Sequence, residues 1–378
     1  MNLKRLKMVD KYFLAILIAI LAFGLVTMSS ASSGITSDPY FYLKKQALFL
    51  VLGIIAALLI VRFDYTQLER YSRYLYGASL LILVIVLVFG TEVRGTTGWI
   101  AIGGLPAMQP AEFTKILLII SFAEFLSSRR GELNTLAQLL PCFLYMGVPF
   151  ALILAQPDLG TALVYIVITV VMMYMAGANP RLLSGLIGGF FAILALLLFL
   201  HFQFGMWLPL GNYQFQRLTV FINPYLDGQG GRGAGWNTIQ SLIAIGAGGW
   251  RGTGLYHGTQ VQLNFLPERH TDFIFAVIGE ELGFIGAALL IILYGCLLLR
   301  ALNIAAKARE LSGTLIVTGI TAMWLFHIFE NIGMCIGLMP ITGIPLPFMS
   351  YGGSAMLTNM VAVGLILGVN IRGRKIVF

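Results

Sequence analysis

Eight ionisable side chains fall inside or at the ends of long apolar stretches: Glu112, Lys115, Glu124, Asp272, Glu280, Glu281, His327 and Glu330. A charge held in hydrocarbon is costly unless it is paired or faces water, so each is a candidate for function. Glu112 and Lys115 are three residues apart, share a helix face and can form an ion pair. They can equally serve only to neutralise one another. Asp272 sits in Leu266-Pro267-Glu268-Arg269-His270-Thr271-Asp272, where a long polar and aromatic segment turns into an apolar window. A carboxylate there suits a general base, or an acidic first-turn residue favoured by the helix dipole. At about 100° per residue, Ala276, Gly279, Gly283 and Gly286 lie within roughly 40° of its direction. That stripe of small residues predicts a face on which another helix comes close, with Asp272 turned into the bundle.

Two further stretches carry chemically useful residues. Ile245-Gly246-Ala247-Gly248-Gly249-Trp250-Arg251-Gly252-Thr253-Gly254 combines glycines, which expose backbone N–H groups, with an arginine suited to phosphate. It lacks the strand and helix context of a nucleotide loop, and such a run also reads as a flexible turn. Pro345-Leu346-Pro347-Phe348-Met349-Ser350-Tyr351-Gly352-Gly353-Ser354 makes a rigid bend and then a close-packing point before the last apolar window.

The elements that must hold these groups are helices in a membrane. Of 378 residues, 58% are hydrophobic and 11% charged, where soluble domains carry about a quarter charged. The apolar residues come in blocks of about twenty, the length a helix needs to cross roughly 30 Å of hydrocarbon. Windows near 12–29, 47–61, 74–90, 112–127, 139–155, 160–177, 182–200, 272–299, 312–338 and 353–370 predict an all-α polytopic protein of about ten spans. The first exceeds the usual apolar length of a signal peptide and reads as a retained helix. The chain forms one unit, 1–378, with a large extracytoplasmic loop, 201–271, between spans seven and eight. Trp207, Tyr213, Phe215, Phe221, Tyr225, Trp236, Trp250 and Tyr256 in that loop predict a segment lying on or dipping into the membrane interface.

Ten spans put both termini on one side. Sixteen Lys and Arg fall on that side and seven on the other, so both termini are expected in the cytoplasm. The net charge of +8 is thus a topology signal, and nucleic-acid binding is set aside. Cys142, Cys296 and Cys335 are isolated in apolar blocks, which predicts neither a disulfide framework nor a zinc site.

Five motifs in order, Gln109-Pro110-Ala111-Glu112-Phe113, Gln156-Pro157-Asp158-Leu159-Gly160, 266–275, Asn331-Ile332-Gly333 and Ser350-Tyr351-Gly352-Gly353-Ser354, resemble the SEDS family (RodA, FtsW, SpoVE) over nearly the whole chain. The Pro-Glu-Arg-His-Thr-Asp wording at 267–272 resembles the RodA branch more than the FtsW branch. The resemblance implies a peptidoglycan glycosyltransferase of the bacterial cytoplasmic membrane that polymerises lipid II for cell elongation and rod shape. It implies an essential Asp272, a role for Trp99, and roles for the polar pair Glu112 and Lys115. Arg251, Glu268, Arg269, His270, Ser350 and Ser354 join them as substrate-binding candidates. Ala111, Gly98 and Thr253 stand where the family often has serine, arginine and lysine, so Arg94 and Arg251 are the candidate replacements for the missing basic contacts.

In the expected reaction Asp272 deprotonates the acceptor sugar hydroxyl. Arg251, Arg269, Lys115 or a divalent cation, Mg or Mn, stabilises the departing diphosphate. A class B penicillin-binding protein transpeptidase, docked on spans eight and nine, and other elongation (rod) complex proteins are the expected partners. Two rival readings are a lipid-linked precursor flippase or transporter, for which paired discontinuous helices would speak, and a non-catalytic scaffold of the cell-wall machinery.

Overall fold

The computed structural model describes residues 9–93, 96–100, 108–205, 217 and 219–373. The helices are α1 (Lys11–Ala31), α2 (Phe41–Arg62), the short α3 (Tyr65–Arg70), α4 (Ser72–Phe89), α5 (Pro110–Ser127), α6 (Leu136–Leu154), α7 (Leu159–Met175), α8 (Pro180–Phe204), α9 (Trp236–Gly248), the one-turn α10 (Thr259–Gln262), α11 (Ile274–Ala306), α12 (Leu311–Cys335) and α13 (Gly353–Gly373). A small antiparallel hairpin, β1 (Thr91–Val93) with β2 (Thr96–Trp99), pairs Thr91 with Trp99 and Val93 with Thr96. Eight of the helices, α1, α2, α4, α6, α8, α11, α12 and α13, are long and apolar enough to cross a membrane. α7 is equally apolar at 17 residues, and α5 has 18 residues with Glu112, Lys115 and Glu124 among them. These ten correspond to the ten predicted spans, and the architecture is that of an all-α polytopic membrane protein.

Local sequence sets the helix ends. Asp10 caps α1 by accepting the Phe13 N–H at 3.0 Å, Asp158 caps α7, and Pro110 opens α5 at the first helical position, where its missing N–H costs nothing. α12 and α13 form the centre, with 78% and 83% of their most apolar windows buried against 6% for α8. The α1 start lies beside the α13 end, since the Asp10 N–H reaches the Asn370 side chain at 3.1 Å and the Asp10 carboxylate pairs with Arg300 at 2.9 Å. The start of α1 and the end of α13 therefore share one face of the bundle, and residues 219–273 occupy the opposite one, here termed the loop face.

The loop face is built into the bundle. α11 breaks at Gly283, whose φ of 65° and ψ of −164° are not helical. Four backbone groups at the break would be orphaned in an apolar surround, each a cost of several kcal/mol. Segment 249–254 satisfies them: Gly249 and Trp250 carbonyls accept from Phe284 and Ile285 at 2.8 and 3.2 Å, and Thr253 and Gly254 donate to Glu280 and Glu281 carbonyls at 2.9 and 3.0 Å. A Cβ on Gly248 or Gly252 would collide with the carbonyls of Gly279 and Glu281. The glycine run is thus the plug of a broken helix, and the small-residue stripe at Gly279 and Gly283 faces α9 and this plug.

Candidate active site

At the loop face a cleft of about 140 Å³ opens between the ends of α5, α7, α12 and α13 and the Asp272 turn. Its lining includes Trp99, Glu112, Lys115, Asp272 and Ser354 from the sequence prediction, together with Asp158, Arg217, His327 and Thr342.

The floor comes from α5. Glu112 lies in its first turn, where the dipole favours an anion, and Lys115 is one turn on. Lys115 Nζ stands 2.6 Å from Glu112 Oε1, with side-chain exposures of 1% and 5%, so the pair is fully within the protein. The same Nζ lies 3.2 Å from His327 Nε2. An ammonium only donates, so Nε2 accepts and the imidazole proton is on Nδ1. One wall comes from Asp158, which accepts from Thr161 N at 2.9 Å, Thr161 Oγ1 at 2.8 Å and Gln109 Nε2 at 3.0 Å. Ser354 Oγ accepts from the Gln109 N–H at 3.0 Å, tying the start of α13 to the start of α5. Trp99, half-buried at the end of β2, closes the side.

Asp272 stands two residues before the first helical residue of α11. Its main chain is tethered to α12, since Asn331 Nδ2 donates to the Asp272 carbonyl at 2.9 Å and to the Ile344 carbonyl at 2.8 Å. Asp272 Oδ2 lies 3.6 Å from where a Cβ on Gly343 would sit, so the carboxylate stands over the open side of that glycine.

The other predicted residues lie away from the cleft lining. Arg251 is exposed on the plug. Arg269 is buried, its Nε and Nη2 donating to the carbonyls of Ala31 and Ser33 at 2.9 and 2.6 Å, so it fastens the turn to the end of α1. The Glu268 carboxylate accepts from Thr271 Oγ1 at 3.1 Å. The His270 ring packs on Tyr42 with centroids 4.3 Å apart, and its carbonyl accepts from the Tyr351 N–H at 2.8 Å. Ser350 Oγ accepts from the Leu346 N–H at 2.8 Å, closing the bend before α13. Arg94 lies outside the described residues. Sequence reading left Arg217 and Thr342 out of the candidate site. A lone arginine in a long loop and a threonine between apolar residues carry no spacing signal. Among the described residues no three His, Cys, Asp or Glu side chains stand together as a metal cage.

The geometry supplies a carboxylate at an open mouth, a buried ammonium below it and an indole at its side. That is the donor and acceptor set for moving a proton off a hydroxyl beside a developing anion. The FtsW/RodA/SpoVE cell cycle protein model matches residues 10–375. The chain is 37% identical over 374 residues to the probable peptidoglycan glycosyltransferase FtsW of Trichlorobacter lovleyi, covering 97% of this chain and 94% of that one. It is 32% identical to the peptidoglycan glycosyltransferase RodA of Treponema pallidum, covering 96% and 98%. A solved structure described as "Structural coordination of polymerization and crosslinking by a peptidoglycan synthase complex" superposes with a TM-score of 0.80 at 32% identity, over 96% of this chain and 97% of that one. FtsW and RodA relatives match to similar degrees, so likeness does not choose the branch. The chain is a member of the SEDS family, FtsW/RodA/SpoVE.

Proposed function

We propose that this protein is a peptidoglycan glycosyltransferase that polymerises lipid II into glycan strands, with Asp272 as general base, in the service of cell elongation. The observation that carries the reading is the meeting of Asp272, Trp99 and the Glu112–Lys115 pair in one cleft, from segments about 170 residues apart in the chain. The names of the relatives support the reaction class. The RodA-like wording at 267–272 supports the elongation branch.

The acceptor's GlcNAc 4-hydroxyl oxygen bonds to C1 of the donor's MurNAc while Asp272 takes its proton. The C1–O bond to phosphate breaks, and polyprenyl diphosphate leaves with the electron pair. Lys115 and Arg217, the basic side chains of the cleft lining, are the groups that meet the developing charge. Arg251 and Arg269, directed elsewhere, are not assigned that task. The cleft is smaller than the roughly 300–1,000 Å³ of ordinary ligand sites, so it receives the reacting ends, with the polyprenyl tail left among the lipids.

The proposed setting is the bacterial cytoplasmic membrane with both chain ends in the cytoplasm, supported by the distribution of Lys and Arg. A class B penicillin-binding protein is the proposed partner, supported by the likeness to a complex described by polymerisation and crosslinking. Its helix is assigned to α11 and α12, whose Phe284, Ile285, Ile292 and Phe329 are exposed. Among the described residues α11 is the one span with non-helical dihedrals inside it, and its break is plugged. Transport would be favoured by a pair of broken helices, and α11 has no broken counterpart among the described residues.

The test is lipid II turnover by the purified protein. Glycan strands from wild type and none from Asp272→Asn are expected. Strands at the wild-type rate from a folded Asp272→Asn would remove the base, and translocation without polymerisation would replace the enzyme with a flippase.

A further inference from the structure

Glu330 is wholly buried in α12, its Oε1 accepts the Thr342 hydroxyl at 2.9 Å, and its Oε2 has no partner among the described residues. Burying a carboxyl with one oxygen unpartnered is unfavourable, and an apolar side chain would avoid it. What the carboxyl gains is Thr342. Thr342 and Gly343 line the cleft, and the Asp272 carboxylate stands over the open side of Gly343.

The segment that carries them is irregular. Backbone hydrogen bonds anchor its ends, Met339 to Gly333 at 3.2 Å and Ser350 to Leu346 at 3.0 Å. Side chains hold the stretch between. Gly343 turns through φ 78°, and Gly160 of α7 lies close under Thr342 and Ile344, so the segment fits one backbone path. Neighbouring residues of α12 then fasten it at two points, Glu330 at Thr342 and Asn331 at Ile344, while Asn331 also holds Asp272.

We infer that Glu330 is a positioning residue: through its accepted hydrogen bond it fixes the wall 342–344 against which Asp272 is aligned, without itself lining the cleft. The inference rests on the reading of Asp272 as the base. The property required of residue 330 is an accepting side-chain oxygen at this place, which Gln also supplies and Ala does not. The property required of residue 342 is a hydroxyl, which Ser supplies and Val does not.

The experiment uses the full-length protein, purified in detergent, as wild type, Glu330→Gln, Glu330→Ala, Thr342→Ser, Thr342→Val and the double variant Glu330→Ala/Thr342→Val. Lipid II polymerisation is resolved into kcat and KM, and amide hydrogen exchange is followed over 339–349. Glu330→Gln should stay within about twofold of wild type, and Thr342→Ser, which keeps the hydroxyl, should be less impaired than Thr342→Val. Glu330→Ala should lose between about tenfold and a hundredfold in kcat with KM little changed, the scale of a misplaced reacting group. Its exchange should rise in 339–349 and not in the helices. Thr342→Val, which deletes only the donor, should do the same, and the double variant should be no worse than the worse single. Additive losses would mean that Thr342 acts by touching substrate, and would overturn the brace. So would a Gln variant as impaired as Ala, or an Ala variant with wild-type kcat and exchange. If wild type does not polymerise lipid II, the enzyme reading falls, and the exchange arm decides alone: unchanged exchange in Glu330→Ala overturns the brace, and increased exchange sustains it.

Discussion

Lys115 and Glu112 form a buried ion pair at 2.6 Å on the floor of the cleft, and His327 leans on the same ammonium at 3.2 Å. Breaking such a pair leaves one buried charge without its partner, a loss of about 3–5 kcal/mol. Glu112→Ala or Lys115→Ala should therefore melt well below wild type in detergent. Replacing both by Leu and Met should recover much of that stability while leaving polymerisation lost. Single variants that melt like wild type would show that the pair is open to solvent.

Asp272 is tethered through its backbone carbonyl, so substituting the side chain leaves the Asn331 hydrogen bond in place. Asp272→Asn should stay monodisperse and lose on the order of a hundredfold or more in lipid II turnover. Asp272→Glu keeps the charge but moves it by one methylene, and a displacement near 1 Å can cost about 10²-fold. Full activity in the Glu variant would be at odds with a base whose position is fixed.

Gly252 and Arg251 are neighbours with opposite expectations. Gly252 has φ 78°, and a side chain there would strike the Glu281 carbonyl, so Gly252→Val should lose more than about 2 kcal/mol or fail to yield folded protein. Arg251→Ala, on an exposed side chain, should change stability by less than about 0.5 kcal/mol and turnover by less than about twofold. A large loss of turnover in Arg251→Ala would return that arginine to the site.

Glu69, in the short helix α3, has its carboxyl pushed up to about 7, chiefly by burial, with Glu124, Glu310 and Asp64 adding repulsion and Ser312 opposing. A carboxyl raised in the folded state binds its proton more tightly there than in the unfolded chain. Its contribution to stability is present below the ordinary value of 4.5 and is lost as pH rises toward about 7. Glu69→Gln should flatten the dependence of melting temperature on pH between about 5 and 7 and should stabilise the protein at pH 8, by on the order of 1 kcal/mol. An unchanged profile would mean that the carboxyl is already solvated.

Topology is open to direct labelling. Single cysteines at Gln229 and Arg129, in a background without the three native cysteines, should differ toward an impermeant thiol reagent on intact cells. Position 229 should label and position 129 should not. The reverse pattern would invert the orientation inferred from the basic residues.

The ten spans were legible in the sequence because crossing hydrocarbon requires about twenty apolar residues in a row, and that requirement is one-dimensional. The Glu112–Lys115 pair was legible for a similar reason, three residues on a helix being neighbours by geometry alone. Asp272 came from its place at the start of an apolar window, Trp99 and Ser354 came from the family resemblance, and no spacing rule linked the three. The tertiary structure decided the rest. It turned the glycine run from a phosphate candidate into the plug of α11, because a broken helix in an apolar surround must find hydrogen-bond partners elsewhere in the chain. It sent Arg269 to the carbonyls of Ala31 and Ser33, more than 230 residues away, away from the cleft. It placed Glu330 and Asn331 behind the catalytic candidate, a position visible only once α12, the 342–344 wall and the Asp272 turn are packed together. Local periodicity fixes what a residue's own helix does. Which distant backbone it meets is set by packing, and the candidate site is made of such meetings.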